Sequence, residues 1–514
     1  MAAAMITVDF LNCFILSFIC FFSLLCYYLF FKKPKHGFNL PPSPPSLPII
    51  GHLHLLLSIL PHKAFQKISS RYGPLLHLRI FNVPLCLVSS ASVAYEIFRT
   101  HDLNVSSRGV RTLENSLFFG HETFAGAPFG DYFKFAKKLL VMNLLGTQAL
   151  ERSRGICADE IERFYARLMD KARKKESVEI GKEAMVLTNN IISKLLIGRS
   201  CSEENGEAEK VRESVIKTMS VLKKVFFSNM FGKTLKKLGV SLFEKEIRRA
   251  CSRFDELLER HLKEHEEKPE KHSVTDMMDV LLAASRDENA DYKITKTHIK
   301  LLMVELFLGG TDSPAKLIQW AMAEIINKPN TLERLRQEMD SVVGKTRLIQ
   351  ETDLPRLPYL QAVVKETLRL HPPAPLLIRM FEEECKVGGF SIPEKTTLVV
   401  NAYAVMRDPN VWQDPDEFKP ERFLAEQEEE REKVLKFIPF GSGRRGCPGV
   451  NLGYIFVEIG VGMMVQCFDW IIKGDETVNM EETVAGLSLT MAHPLICTLL
   501  PRTDPLSFNL KLPS

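Results

Sequence analysis

Short stretches of alternating apolar and polar residues lie on either side of a long region with helical spacing. Residues 75–79 and 85–89 alternate in this way and predict a small N-terminal sheet, and residues 396–401 predict a further strand. From residue 91 to residue 345, apolar positions recur at helical intervals, for example over 242–266. The pattern therefore predicts a mainly helical α+β fold with small sheets.

An uncharged apolar run precedes these elements. Residues 10–31 carry no charge and are mostly Phe, Leu, Ile, Cys and Tyr, and a helix of that length crosses about 30 Å of hydrocarbon. Lys32, Lys33 and Lys35 follow, and the positive-inside rule keeps such residues on the cytosolic side. A cleavable signal peptide is the alternative, but its start would be basic. We therefore predict a retained transmembrane anchor with residues 1–9 in the lumen.

Proline is dense directly after the basic cluster. Residues 40–48 read LPPSPPSLP, a composition typical of a stiff, extended spacer. We therefore predict a basic and proline-rich hinge over 32–50. No low-complexity linker divides the rest of the chain, so residues 51–514 are predicted to form a single cytosolic domain.

Composition describes an ordinary globular protein. The chain has 514 residues, a hydrophobic fraction of 45% and a net charge of +4. No nucleic-acid partner is predicted. Eleven cysteines form no C-x-x-C pair, and no zinc-site spacing occurs.

One cysteine lies in a glycine-rich loop near the C-terminus. Residues 440–449 read FGSGRRGCPG, which places Cys447 two residues after Arg445. Glycines let a backbone approach a flat ligand closely, and an arginine can pair with an anionic group. An ordinary glycine loop with an inert thiol is the alternative interpretation.

This loop resembles that of the haem-thiolate monooxygenases, the cytochromes P-450, which reads F-x-x-G-x-R-x-C-x-G. The five fixed positions are Phe440, Gly443, Arg445, Cys447 and Gly449. The resemblance covers nearly the whole chain. It implies a single haem domain, haem b (iron protoporphyrin IX) as cofactor, these five residues around it, and Cys447 as the axial ligand of the iron. A thiolate ligand pushes electron density onto the iron and favours O–O cleavage.

Two further motifs extend the resemblance. Glu366 and Arg369 match the family's E-x-x-R, and residues 420–423 match its P-E-R-F element. Three residues apart on a helix, Glu366 and Arg369 share a face and can pair. The resemblance implies that they join Arg422 in a structural network behind the haem loop.

The haem propionates need fixed donors, and the resemblance implies Arg379 and Arg445 for this role. A third donor usually comes from a W-R-x-x-R segment. Here that segment begins with Phe133 and ends with Lys137, so Lys137 is the candidate third donor. Alternatively, Lys137, Lys138 and Arg444 form a basic face for an acidic electron donor.

An apolar helix is predicted over 297–327, interrupted by the sequence GGTDSP at 309–314. Interior glycines cost about 1 kcal/mol each and proline about 3, so such a cluster suggests a function. Pro314 cannot donate to the carbonyl of Gly310, which predicts a local opening. The resemblance implies that Asp312 and Ser313 are the catalytic acid and alcohol that pass protons toward oxygen. Serine replaces the family's threonine and lacks its methyl group, so we expect a looser relay.

The resemblance also implies the reaction and its partners. One oxygen atom enters a substrate C–H bond, and electrons come from NADPH through a membrane-bound cytochrome P-450 reductase. Microsomal members of the family are held in the endoplasmic reticulum membrane with the catalytic domain in the cytosol. No dinucleotide-binding motif occurs in this chain, so the reductase must be a separate protein.

Closer resemblance, in residues 40–52, 200–206 and 491–494, points to the plant A-type group of the mustard family that oxidises triterpene alcohols. The segments expected to line the substrate site are mostly apolar, which also favours a lipophilic substrate; they are residues 106–124, 221–231, 303–308, 374–378 and 485–490. A flavonoid or isoflavonoid oxidase is the alternative within the same class. A peroxide-rearranging haem enzyme and a non-catalytic haem-binding membrane protein are the alternatives from other classes.

Overall fold

A computed structural model of the chain describes eleven stretches of residues. They are 14–23, 39–56, 58, 60–81, 83–109, 122–199, 207–236, 243–267, 276–424, 436–472 and 477–502. The predicted lumenal terminus, most of the predicted anchor and residues 200–206 lie outside them.

Helices make up most of the described part. In chain order they are α1 (Phe14–Ser23), α2 (Leu53–Leu56), α3 (Pro61–Tyr72), α4 (Ala91–Thr100), α5 (Asp131–Leu140), α6 (Thr147–Arg173), α7 (Ile180–Ile197), α8 (Glu207–Lys236), α9 (Glu244–Glu267), α10 (Met277–Arg286), α11 (Lys296–Asn327), α12 (Pro329–Val342), α13 (Pro358–Leu370), α14 (Ala402–Val405) and α15 (Val450–Cys467). Short 3-10 turns over Pro420–Phe423 and Gly443–Arg445 carry the P-E-R-F element and part of the cysteine loop.

The strands form four small sheets. They are β1 (Leu75–Ile80), β2 (Val83–Val88), β3 (Ser177–Glu179), β4 (Leu376–Met380), β5 (Cys385–Val387), β6 (Phe390–Ile392), β7 (Thr397–Asn401), β8 (Phe468–Ile472), β9 (Glu482–Ala485), β10 (Ser488–Met491) and β11 (Ile496–Pro501). The largest sheet has the order β1-β2-β7-β4, with β1 and β2 antiparallel and β2 and β7 parallel. The mainly helical α+β prediction is therefore confirmed.

Helix α11 runs through the core and packs on α7 and α15. It continues unbroken through Pro314, so the predicted interruption of the helix is wrong. Tertiary packing overrides the local cost here. A Cβ at Gly310 would lie 2.3 Å from Ile192 Cδ1, so this glycine permits close approach of α7. Thr188 of α7 also donates to the carbonyl of Thr311 at 2.9 Å. A carbonyl without a donor at Gly310 stays a prediction.

Within the described residues, one helix is long and apolar enough to cross a membrane by length and composition. It is α15, and 72% of its residues are buried, as expected of a core helix. The shorter apolar helix α1 falls within the predicted anchor and exposes its large side chains.

The β9–β10 hairpin is tied to helix α3 by buried charge. Glu482 Oε1 lies 2.5 Å from Lys63 Nζ and 3.3 Å from His62 Nε2. Burial by itself raises the pKa of Glu482, but hydrogen bonds and charge from His62 and Lys63 outweigh burial and lower the pKa to about 2. The ionised carboxylate therefore fastens the hairpin to α3.

Glu482→Gln should lower the free energy of unfolding by about 3 kcal/mol at neutral pH. Because folding depresses the pKa of Glu482, this contribution is complete above the unfolded pKa of 4.5 and is lost as pH falls toward about 2. Urea unfolding at several pH values should show the two proteins converging on acidification. Exposed Glu481→Gln is the control, and a pH-independent gap would contradict the assignment.

Candidate active site

The backbone of the cysteine loop is folded back on itself. The amide of Cys447 donates to the carbonyl of Phe440 at 2.9 Å, which closes the loop. Gly443 has φ +69°, and a Cβ there would lie 1.9 Å from Asp102 Oδ1. That oxygen accepts from the amide of Arg444 at 3.0 Å, and Asp102 Oδ2 accepts from its guanidinium at 2.5 Å. A glycine at 443 is therefore required both by the left-handed backbone and by the close approach of Asp102.

The side chain of Cys447 is accessible to solvent, although protein surrounds it on most sides. The thiol is therefore within reach of an incoming ligand. Burial raises the pKa of Cys447, while the amide of Gly449 and the charge of Arg108 act in the opposite direction. A coordinated metal ion deprotonates a thiol outright, so the thiolate form would be secured by iron itself.

Arg445 holds the segment that leads into α5. Its Nε donates to the carbonyl of Ser106 at 2.6 Å, and its terminal nitrogens donate to the carbonyls of Phe124, at 3.3 Å, and Ala127. The guanidinium also lies 3.9 Å from the centre of the Phe133 ring. Each of these contacts is to a neutral group, so none of them cancels the charge of Arg445.

Two more buried guanidinium groups lie close to Arg445. Arg379 donates to the carbonyl of Arg445 at 3.1 Å. Burial, together with the charges of Arg108 and Arg445, lowers the pKa of Arg379 to about 9. Burial and the charge of Arg108 lower the pKa of Arg445 to about 10, while Glu305 acts in the opposite direction. Three cations therefore share one buried region.

This region fits a dianionic cofactor. Burial lowers the pKa of Arg108, and its Nε has no hydrogen-bond partner among the described residues. Glu305 is the carboxylate that counters both Arg108 and Arg445. Buried cations in this excess are costly unless anions offset them. The two propionates of haem b would supply the missing negative charge while Cys447 meets the iron.

Lys137 lies at the edge of this arrangement. Its Nζ donates to the carbonyl of Arg444 at 3.3 Å, and the side chain is half-buried. With Lys134, Lys138 and Arg444 it lines a surface groove of about 420 Å³. The roles of Lys137 as a propionate ligand and as part of a basic docking face both stay predictions.

Glu366, Arg369 and Arg422 meet in one buried network. Arg369 donates to both carboxylate oxygens of Glu366 at 2.7 and 2.8 Å, and Arg422 Nε donates to Oε1 at 2.9 Å. The amide of Lys419 adds a further bond to Oε1 at 2.8 Å. Arg369 also donates to backbone carbonyls in the segment 406–417. The network therefore joins α13 to the chain that precedes the cysteine loop.

On α11, Asp312 is buried and Ser313 is half-buried. Asp312 Oδ2 accepts from Lys316 Nζ at 2.6 Å and from Ser488 Oγ at 3.3 Å. One turn earlier, Gly309 is exposed although Leu308 is buried and Gly310 half-buried, and a Cβ there would meet nothing within 4 Å. The surface of α11 is therefore open at Gly309, beside the predicted acid and alcohol.

Several residues of the site were not among the predictions. Glu305 accepts from the amides of Phe124 and Ala125 at 2.9 and 2.8 Å, and burial raises its pKa to about 7 against these donors. A single acid in the apolar stretch 301–308 was a signal for it. Lys316 was detectable by its spacing from Asp312. Nothing in the sequence around Arg108 distinguished it.

Removing the buried anion of the network should unfold this part of the protein. Glu366→Ala leaves Arg369 without its carboxylate, and the expected loss is about 3–5 kcal/mol together with loss of bound haem. Denaturant unfolding and haem absorbance measure the two effects. Glu417→Ala removes an exposed carboxylate whose described partner is Lys419 and serves as the control. A stable, haem-replete Glu366→Ala protein would refute the structural role.

Arg108→Met tests the cationic region. Losing one charge-assisted contact to a propionate should weaken haem retention about tenfold, equivalent to ~1.4 kcal/mol. Haem content after extensive dilution is the measurement, with circular dichroism as the check on folding. Arg99→Met alters an exposed arginine and should retain haem. Equal retention in the two variants would exclude Arg108 as an anchor.

Comparison with known proteins leads to the same family. Residues 41–498 match the family model described as cytochrome P-450. The chain is 63% identical over 513 residues to cytochrome P-450 705A22 of Arabidopsis thaliana, covering 98% of this chain and 99% of that protein. It is 40% identical over 502 residues to 3,9-dihydroxypterocarpan 6A-monooxygenase of Glycine max, covering 95% and 98%.

Solved structures agree with this result. A zebra fish cytochrome P-450 with progesterone superimposes with a TM-score of 0.73 at 25% identity, covering 86% of this chain and 99% of that one. The predicted family, fold class, enzyme class and cofactor are thereby confirmed. The chain therefore belongs to the cytochrome P-450 family and is a haem b monooxygenase that receives electrons from NADPH through a reductase.

Proposed function

We propose that this monooxygenase oxidises a triterpene alcohol by hydroxylation, desaturation or carbon–carbon cleavage. The observation that carries the proposal is the apolar character of the exposed residues near the cysteine loop's predicted partners on α11 and on the β9–β10 hairpin. Gly309 and Ala374 are exposed next to the buried residues Leu308 and Pro375, and Leu487 at the tip of the β9–β10 hairpin is 38% exposed. A large hydrocarbon skeleton suits such surface, because burying it releases water without leaving polar groups unpaired.

The acidic groups of α11 near Gly309 already have partners within the protein. Glu305 faces backbone amides and Arg108, and Asp312 is bound to Lys316. They therefore offer little to a strongly polar substrate. The resemblance in residues 40–52 and 491–494 to the triterpene-oxidising plant group supports the same class.

A flavonoid or isoflavonoid is the second candidate. The Glycine max relative, by its name, acts on a dihydroxypterocarpan, and it aligns over 95% of this chain. Its 40% identity is well below the 63% of cytochrome P-450 705A22, whose name specifies no substrate. The triterpene class is therefore tested first and the pterocarpan second.

Each predicted residue takes a defined part in the proposed reaction. Cys447 binds the iron, and Arg379, Arg445 and Lys137 hold the propionates. When bound, haem b supplies the chemistry that activates dioxygen. Asp312 and Ser313 hold and pass protons next to the accessible surface at Gly309. Phe440, Gly443 and Gly449 keep the cysteine loop in place.

We place the protein in the endoplasmic reticulum membrane. In this arrangement residues 10–31 form a single anchor, residues 32–50 the hinge, and residues 51–514 the cytosolic catalytic domain. The exposed apolar side chains of α1 support the anchor. The groove has apolar walls, which include Val141 and Met142. Its cations Lys134, Lys138 and Arg444 suit an acidic reductase surface, because complementary charge speeds encounter.

Microsomes that contain this chain and a plant reductase should convert a triterpene alcohol of the thalianol or arabidiol type only when NADPH is present. Mass spectrometry of the product distinguishes hydroxylation, desaturation and cleavage. A 3,9-dihydroxypterocarpan is offered in parallel. Turnover of the pterocarpan alone would refute the triterpene assignment, and turnover without NADPH would indicate peroxide rearrangement. A Cys447→Ser protein, which should lose the thiolate-type spectrum of its reduced carbon monoxide complex, is the inactive control.

A further inference from the structure

Helix α11 contains an ion pair that is almost entirely removed from water. Lys316 Nζ lies 2.6 Å from Asp312 Oδ2, and the two side chains are 11% and 4% exposed. Residues four apart on a helix face each other, so Lys316 reaches the carboxylate from the next turn of the same helix. The backbone of α11 therefore fixes both ends of this contact.

Stability does not account for a lysine at this position. An exposed pair with this spacing contributes only about 0.2–0.5 kcal/mol. Burying an ammonium ion and a carboxylate costs several kcal/mol in lost hydration, and apolar residues of similar size often stabilise a protein better. Local rules broken without a stabilising gain occur mainly at functional sites.

A third group reaches the same carboxylate oxygen from another part of the chain. Ser488, the first residue of β10, donates to Asp312 Oδ2 at 3.3 Å. Its hairpin packs against α11 and α8, and a Cβ at Gly486 would lie 2.7 Å from the carbonyl of Met219. Asp312 is therefore held on one side by its own helix and on the other by the hairpin whose tip exposes Leu487.

We propose that Lys316 and Ser488 are positioning residues for proton delivery, because they hold the Asp312 carboxylate in one orientation beside Ser313. The inference rests on the role proposed above for Asp312. Two donors on Oδ2 restrict rotation of the carboxylate, so Oδ1 is the oxygen assigned to the relay. Lys316 acts through Asp312 and does not itself touch substrate or cofactor.

Such positioning meets a specific need of this chain. Ser313 lacks the methyl group that would restrict its rotamer, so the alcohol half of the relay is loosely held. Fixing the acid half limits the number of arrangements in which a proton can pass. The productive reaction consumes dioxygen, NADPH and a proton and yields oxidised substrate and water. When the proton does not reach the oxygen atom that leaves as water, the same dioxygen, NADPH and proton instead yield hydrogen peroxide and NADP+, and the substrate is unchanged.

The hairpin adds a link between substrate and oxygen chemistry. Leu487 directly precedes Ser488 in the chain. A substrate that packs on Leu487 at the hairpin tip would therefore affect the position of Ser488, which donates to Asp312. Proton delivery should therefore respond to occupation of the substrate site. This response distinguishes a positioning role from simple packing.

The test measures hydrogen peroxide released per NADPH oxidised, in microsomes with reductase, with and without added thalianol or arabidiol. The peroxide ratio requires no identified substrate. In Lys316→Met the fraction of NADPH not lost to peroxide should fall about threefold or more, and Lys316→Arg should restore most of it. Ser488→Ala should give a smaller fall. Asp312→Asn should reproduce the defect, and the double variant Asp312→Asn/Lys316→Met should be no worse than Asp312→Asn alone.

Lys300→Met is the matched control. Lys300 lies on the same helix, is 16% exposed and pairs with Asp255 and Glu259, away from Asp312. Its loss should leave the peroxide ratio unchanged. Haem content and the thermal unfolding midpoint are measured for every variant, and the midpoint of Lys316→Met should recover in the double variant, where no carboxylate is left unpaired.

The outcomes separate this inference from the role of Asp312. If Asp312→Asn keeps a normal peroxide ratio, the relay assignment fails and the positioning of its acid fails with it. If Asp312→Asn is defective while Lys316→Met matches Lys300→Met, only the positioning inference is overturned. Defects that add fully in the double variant would also overturn it.

Discussion

The Glu366–Arg369 pair is the contact on which the chain leading to the cysteine loop depends. Both side chains are fully buried, so neither charge can be hydrated, and each requires the other. Arg369 uses its remaining donors on backbone carbonyls between residues 406 and 417, and Glu366 accepts from Arg422. Helix α13 thereby fixes the path of the chain that leads to the cysteine loop.

A second group of buried charges has more cations than anions. Arg108, Arg379 and Arg445 come from three separate segments. Glu305 counters the charges of Arg108 and Arg445, and Asp102 counters that of Arg379. The positive charge of the three arginines exceeds the negative charge around them, and burying such an excess is costly. An anionic cofactor would therefore stabilise the folded chain. Arg445 and Glu305 also hold the segment at residues 124–127 from opposite sides, through its carbonyls and its amides. Haem binding and the shape of this segment are therefore linked.

Contacts that depend on local spacing or on a contiguous motif could be predicted from the sequence. The pairing of β1 with β2 follows from alternation around a short turn, and the contact of Glu366 with Arg369 follows from helical periodicity. Other contacts join residues that lie far apart in the chain. Ser488 meets Asp312 across 176 residues, and Glu305 meets Ala125 across 180. Sequence periodicity cannot predict contacts between residues so far apart in the chain, because these contacts depend on how whole helices pack. The same packing kept α11 continuous through Pro314, against its local propensity.

The acid at Asp102 gives the cysteine loop a dependence on a distant part of the chain. Asp102 follows α4, and its carboxylate occupies the space that a side chain at Gly443 would need while binding Arg444. The conformation of the ten-residue loop therefore depends on Asp102, a residue outside the loop. Transplanting those ten residues into another scaffold would carry the letters of the motif but not its shape, unless an acid stood at the equivalent of Asp102. A transplant that keeps the shape of the loop must therefore include both the loop and the residues at the end of α4.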